Sequence, residues 1–100
     1  MEYNAEREAG FNYIIHNLKK FSNPQLDYFA RRVQTENYNN DHVVKLGVNQ
    51  DRKTCGNYIL NNMHKLTNYQ LKTLVGEMMA RVEDNEMWHL YDRENWQEAW

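Results

Sequence analysis

At 100 residues and 12.2 kDa the chain has the size of one small domain, too short for two independent hydrophobic cores. A net charge of −2 and a pI near 6.1 argue against a globally basic nucleic-acid binder. The single cysteine, Cys55, can form neither an internal disulfide nor a thiolate metal cluster, which points to a reducing, cytoplasmic compartment.

No apolar run approaches the ~18 residues of a membrane span. Met1-Glu2-Tyr3-Asn4 carries neither the basic nor the apolar region of a signal peptide. One proline and four glycines are poor material for an all-β chain with many tight turns.

A repeat organises the sequence. Residues 12–26, NYIIHNLKKFSNPQL, match 57–71, NYILNNMHKLTNYQL, at eight of fifteen positions, with close swaps at Ile15/Leu60, Leu18/Met63, Phe21/Leu66 and Ser22/Thr67. At the same offset of 45, weaker matches pair Asn4 with Asn49, Arg7 with Arg52, Asp41 with Glu86, Val43 with Trp88 and Leu46 with Tyr91. The expected organisation is a single domain, 1–100, made of unit one (1–47), unit two (48–92) and an acidic, aromatic C-terminal tail (93–100).

In chain order, the first helix starts near Asn4 as N-cap, with Glu6 at its positive end. It carries Phe11, Ile14, Ile15 and Leu18 as an apolar stripe. Ser22-Asn23-Pro24-Gln25 then fits a capping box: the serine and the glutamine three residues later satisfy each other's backbone N–H groups. Phe21 and Leu26 flank it as a hydrophobic staple, and Pro24 stands in the first turn, where its missing N–H costs little. The second helix buries Leu26, Phe29, Ala30 and Val33 and ends in a polar break at Glu36-Asn37-Tyr38-Asn39-Asn40. A short third helix is expected at 42–46.

Unit two repeats the scheme. Asn49 is the expected cap, with Asp51 behind it, and Ile59, Leu60 and Met63 form the stripe. Thr67-Asn68-Tyr69-Gln70 forms the second box, with Leu66 and Leu71 as its staple. Leu71, Leu74, Val75, Met78 and Val82 follow, then a break at Glu83-Asp84-Asn85 and a short helix at 87–91. The expected fold is therefore an all-α, internally duplicated helical-hairpin bundle with pseudo-twofold symmetry.

Caps, staples and apolar stripes leave four identities of the repeat unexplained: Asn12/Asn57, Tyr13/Tyr58, Asn17/Asn62 and Lys20/Lys65. At 100° per residue Tyr13, Asn17 and Lys20 share a stripe away from Ile14 and Leu18, as do Tyr58, Asn62 and Lys65 in unit two. Read as outward-facing, these stripes form a protein-binding surface, with tyrosine giving contact area at low entropic cost and asparagine adding hydrogen bonds. The bland alternative is packing against the third helix.

The C-terminal residues 83–100 carry six acids against Arg93 alone, a net of −5, and hold the chain's three tryptophans, Trp88, Trp96 and Trp100. Trp96 and Trp100 are spaced to share a helical face as a docking hook. Lys19, Lys20, Arg31 and Arg32 cluster in unit one and define an alternative, nucleic-acid-binding face, in outline like the second helix of a helix-turn-helix.

Signatures of catalysis or metal binding are absent from the sequence. The four histidines are scattered, and no HExxH, CxxC, phosphate loop or GxSxG motif occurs. Cys55 has Lys53 nearby, which would lower its pKa slightly, though a structural role is the simpler expectation. No cofactor and no metal are expected. The richness in asparagine and tyrosine fits an AT-rich coding sequence of the kind found in small phage or bacterial genes. The leading functional expectation is a non-enzymatic, macromolecule-binding protein: a regulator or inhibitor of another protein, of phage origin and aimed at host machinery. The alternatives are a nucleic-acid binder and a homodimeric interaction protein whose equivalent faces meet.

Overall fold

The computed structural model describes residues 5–38, 45–48 and 50–87, and every regular element among them is helical. Helix α1 spans Ala5–Asn17 and tightens into a 3₁₀ turn at Leu18–Lys20; α2 spans Asn23–Glu36. Helix α3 spans Arg52–Asn62 and tightens into a 3₁₀ turn at Met63–Lys65; α4 spans Asn68–Met87.

Both corners are built as the sequence dictates. Ser22 N–H donates to Gln25 Oε1 at 2.9 Å and Gln25 N–H to Ser22 Oγ at 3.3 Å. Thr67 and Gln70 exchange the same pair of bonds at 2.9 and 3.1 Å. The staple residues Phe21, Leu26, Leu66 and Leu71 are all buried, and Pro24 stands in the first turn of α2. Removing one such cap would cost ~1 kcal/mol.

The main helix pairings cross between the two halves. Helix α1 packs along α4, and α2 along α3. Arg7 meets residues 64–68 and Lys20 meets Glu86, so α1 and α4 run side by side in the same direction. Likewise Arg52 meets Asn23 and Asn37 meets the Asn62 carbonyl, so α2 and α3 are parallel.

A buried arginine locks each pairing at its corner. Arg7 donates to the Leu66 and His64 carbonyls, at 2.9 and 3.1 Å, and to Asn68 Oδ1 at 2.7 Å. Arg52 donates to the Phe21 carbonyl at 3.0 Å and to Asn23 Oδ1 at 2.7 Å. With an offset of 45 these are the same residues in exchanged roles: each half's arginine holds the other half's corner.

Between the pairs lies one core, including Ile14, Phe21, Phe29, Val33, Ile59, Leu74 and Met78. Phe21 and Phe29 meet edge to face with centroids 5.1 Å apart. Burying each of these larger side chains contributes ~1.5–3 kcal/mol.

Several expectations need correction. Ile15 is 51% exposed, because the buried face of α1 is set by Arg7, Ile14 and Leu18, and Ile15 lies beyond it. The polar triplet Glu83-Asp84-Asn85 does not break α4. Asn85 is fully buried and donates to the Lys20 carbonyl at 2.9 Å and to Gln25 Oε1 at 2.7 Å, which draws the helix on to Met87. Residues 45–47 are not helical: the Leu46 N–H is taken by Gln34 Oε1 at 2.7 Å. The rest of that expected third helix, and 88–91 of the second, lie outside the described residues. The N-cap of α3 is Asp51, which accepts the Thr54 N–H at 2.8 Å, a bond that holds the carboxyl below its ordinary range. The expected caps Asn4 and Asn49 lie outside the described residues.

Candidate docking groove

The two Tyr-Asn-Lys stripes are not outward-facing patches. Tyr58 and Asn62 are 8% and 5% exposed, while Tyr13, Asn17 and Lys20 are half-buried. The asparagines serve their own helices. Each stands where its α-helix tightens into the 3₁₀ turn, and its side-chain amide donates to the carbonyl four residues back. Asn17 serves Tyr13 at 2.8 Å and Asn62 serves Tyr58 at 2.9 Å. Lys65 donates to Asn62 Oδ1 at 3.2 Å, and Lys20 pairs with Glu86 at 3.5 Å. Burial pushes the Tyr58 phenol above its ordinary pKa. Burial, then the charges of Glu86 and Glu83, do the same for Tyr13. Packing therefore accounts for most of the repeated stripe, and Tyr13 keeps one side open.

That open side belongs to a groove of about 440 Å³ between α1 and α4. Its floor is Gly10, Leu71 and Val75, its flanks are Tyr13, Gly76 and the half-exposed Met79, and Glu6 and Lys72 stand on its rim. Gly10 sets the depth: a Cβ there would stand 3.2 Å from Leu71 Cδ2, so the helices approach closely. At Gly76 a Cβ would meet nothing within 4 Å, so the groove is open at that position. Each glycine inside a helix costs ~0.5–1 kcal/mol relative to alanine. The sequence signal for this groove is these two glycines within helix-periodic segments; the Tyr-Asn-Lys pattern reached only Tyr13 of it.

The basic cluster of unit one is largely committed within the chain. Arg31 forms a fork with Asp27 at 3.0 and 3.1 Å and donates to the Gly47 carbonyl at 2.9 Å. Arg32 pairs with Glu77 at 2.6 Å and Glu36 at 3.5 Å, and reaches the Tyr28 hydroxyl at 3.2 Å. Lys20 is held by Glu86, and Lys19 is exposed. Trp88, Trp96 and Trp100 lie outside the described residues.

Cys55 is 1% exposed, and burial, then the charge of Asp27, raises its thiol pKa; the cation that opposes the rise is Arg31, not the expected Lys53. Among the described residues no group of three His, Cys, Asp or Glu side chains is placed to hold a metal ion, and no helix is long and apolar enough to cross a membrane. No protein-family model, curated protein or solved structure matches this chain.

Proposed function

We propose that the protein is a small binding protein, a regulator or inhibitor that acts by receiving an apolar segment of another protein in the groove between α1 and α4. The observation that carries this reading is the groove itself: a concave strip floored by Gly10, Leu71 and Val75, with Met79 left 49% exposed on its flank. Burying such a strip against a partner is favourable at ~25 cal/mol per Å² of apolar surface, and grooves of this kind suit segments that present apolar anchors at regular spacing. The floor carries no nucleophile and no acid–base pair, so the reading is of binding rather than catalysis. The reduced, buried Cys55 suits a cytoplasmic setting.

The two halves are read as tandem copies related by a pseudo-twofold axis. The fifteen-residue match, the exchanged arginines Arg7 and Arg52, and the crossed parallel pairs support that history.

A photo-crosslinking amino acid at Met79, compared with one at the exposed Lys53 on α3, tests the docking reading in extracts of the cell that makes the protein. A protein captured in discrete stoichiometry from Met79 alone is the expected result. A crosslink to a second copy of this chain would replace the hetero-partner by a homodimer. Equal capture from both positions, or no crosslink from Met79 either to another chain or within its own, would refute the groove as a docking site.

A further inference from the structure

The groove has a counterpart on the other helix pair, and there the connector between the halves lies across it, pinned at Leu46 and Gly47. With the offset of 45, Gly10, Gly76 and Met79 correspond to Cys55, Arg31 and Gln34. On that side the connector between the halves lies against α2 and α3. Leu46 is buried to 9%, its N–H is held by Gln34 Oε1 at 2.7 Å, and the Gly47 carbonyl accepts from Arg31 at 2.9 Å. The Cys55 thiol faces the Gln50 carbonyl at 3.8 Å. The molecule thus displays, on one side, how the chain that follows a second helix closes this kind of seam.

On the open side the polar clamps are exchanged for apolar room: Met79 stands for Gln34 and Gly76 for Arg31. The occupant must therefore be held by bulk rather than by backbone hydrogen bonds. The rim changes sign as well. Asp27 lies beside Val48 and Gln50 of a connector that carries Lys45, whereas the matching residue on α4 is Lys72. Glu6 is the other charge on the open rim.

The chain that follows α4 has both required properties. Residues 88–100 contain Trp88, Leu90, Tyr91, Trp96 and Trp100, with Asp92, Glu94 and Glu98 against Arg93; Tyr91 aligns with Leu46. Reach is sufficient. Thirteen extended residues span up to about 43 Å, whereas the return from Met87 to the level of Met79 is eight helical residues, about 12 Å.

We propose that the groove between α1 and α4 is the seat of the chain's own C-terminal segment, residues 88–100, anchored by its tryptophans and set against Lys72 by its acids. The inference rests on the docking reading above and deepens it: the segment is a built-in competitor that a partner must displace.

All three tryptophans lie in this segment, so tryptophan fluorescence of the full chain reports on it alone. The expected result is weak quenching by iodide in the wild type and severalfold stronger quenching in Met79→Glu and in Gly76→Gln. Far-UV circular dichroism should be unchanged in both variants, and two variants guard against one failing to fold. Wild-type quenching as strong as that of a free peptide of residues 88–100, and unaltered by either variant, would overturn the proposal. Protection that appears only at concentrations where light scattering detects a dimer would overturn it too, by seating the segment in a second copy. If the tryptophans are free but Met79 still crosslinks a partner, only this inference falls; if neither is seen, the docking reading falls with it.

Discussion

The exchanged arginines make the sharpest test of how the two halves are held. Arg52 is 3% exposed and donates to the Phe21 carbonyl and to Asn23 Oδ1, at 3.0 and 2.7 Å. Hydrogen bonds from a charged donor contribute ~1.5–3 kcal/mol each, so Arg52→Met removes ~3–6 kcal/mol and strands the Phe21 carbonyl at a buried corner. Part of this is returned, because burial lowers the Arg52 pKa: the folded state bears a desolvation cost that methionine does not. The net loss is therefore about 2–4 kcal/mol, a large share of the ~5–15 kcal/mol of a small domain. Arg7→Met should cost a similar amount. It gives up bonds to Leu66, His64 and Asn68, and the guanidinium's position 5.1 Å from the Phe11 ring centre, the last contributing ~0.5–1 kcal/mol. Arg52→Lys should recover less than half of the loss, since one ammonium cannot reproduce the planar fork. Urea unfolding followed by circular dichroism measures this. With an m-value of ~1–3 kcal/mol/M, a loss of about 3 kcal/mol lowers the midpoint by roughly 1–3 M. If both methionine variants cost less than about 1 kcal/mol, the corners are not held by the arginines and the reasoning fails.

Two further outcomes follow from the same geometry. Gly76→Ala should stabilise the protein by ~0.5–1 kcal/mol, because its Cβ meets nothing within 4 Å. That corresponds to a rise in Tm of roughly 2–8 °C. Gly10→Ala should gain less or lose, since its Cβ would press on Leu71 at 3.2 Å; equal gains would mean the close approach of α1 to α4 is not real. The phenols of Tyr13 and Tyr58 are both raised by burial, so the unfolded chain ionises them first. Their contribution is fully present below about pH 10 and is lost as pH rises through the folded-state values. Urea midpoints should fall above about pH 10, and Tyr58→Phe should flatten that fall; an unchanged slope in the variant would remove Tyr58 from the account.

Much of the fold was legible because it rests on local rules. Ser22 with Gln25 and Thr67 with Gln70 encode two helix starts within four residues each, and Leu26, Phe29, Ala30 and Val33 announce a buried helical face without reference to anything distant. Sequence and structure part where a remote partner decides the outcome. Glu83-Asp84-Asn85 has the composition of a helix end, yet Asn85 stays helical because Gln25 and the Lys20 carbonyl, some sixty positions earlier, need its amide. Ile15 joined the apolar stripe by spacing, but α1 turns its Arg7 face inward because the corner of the other half has carbonyls to satisfy. A buried arginine is a rare choice, and no periodicity scan proposes it.

The repeat made the halves legible and drew attention away from the α1–α4 groove, for one physical reason. Matches between the two halves mark what both corners need: caps, staples, the clasping arginine and the asparagine at the 3₁₀ transition. Tyr13, Asn17, Lys20, Tyr58, Asn62 and Lys65 suggest a contact patch only if identity is taken as a mark of function, whereas Asn17 and Asn62 are identical because each completes the same bend. A site used on one side of such a molecule must lie where the two halves differ. Cys55, Arg31 and Gln34 help to close one seam around Leu46, while Gly10, Gly76 and Met79 leave the other open. Among the described residues no counterpart of Leu46 enters this seam, and it carries two helix-interior glycines at ~0.5–1 kcal/mol each. A chain selected for stability alone would have closed both seams with the same three residues. The difference between the two halves, rather than their likeness, is what singles out the α1–α4 groove as the surface proposed for docking.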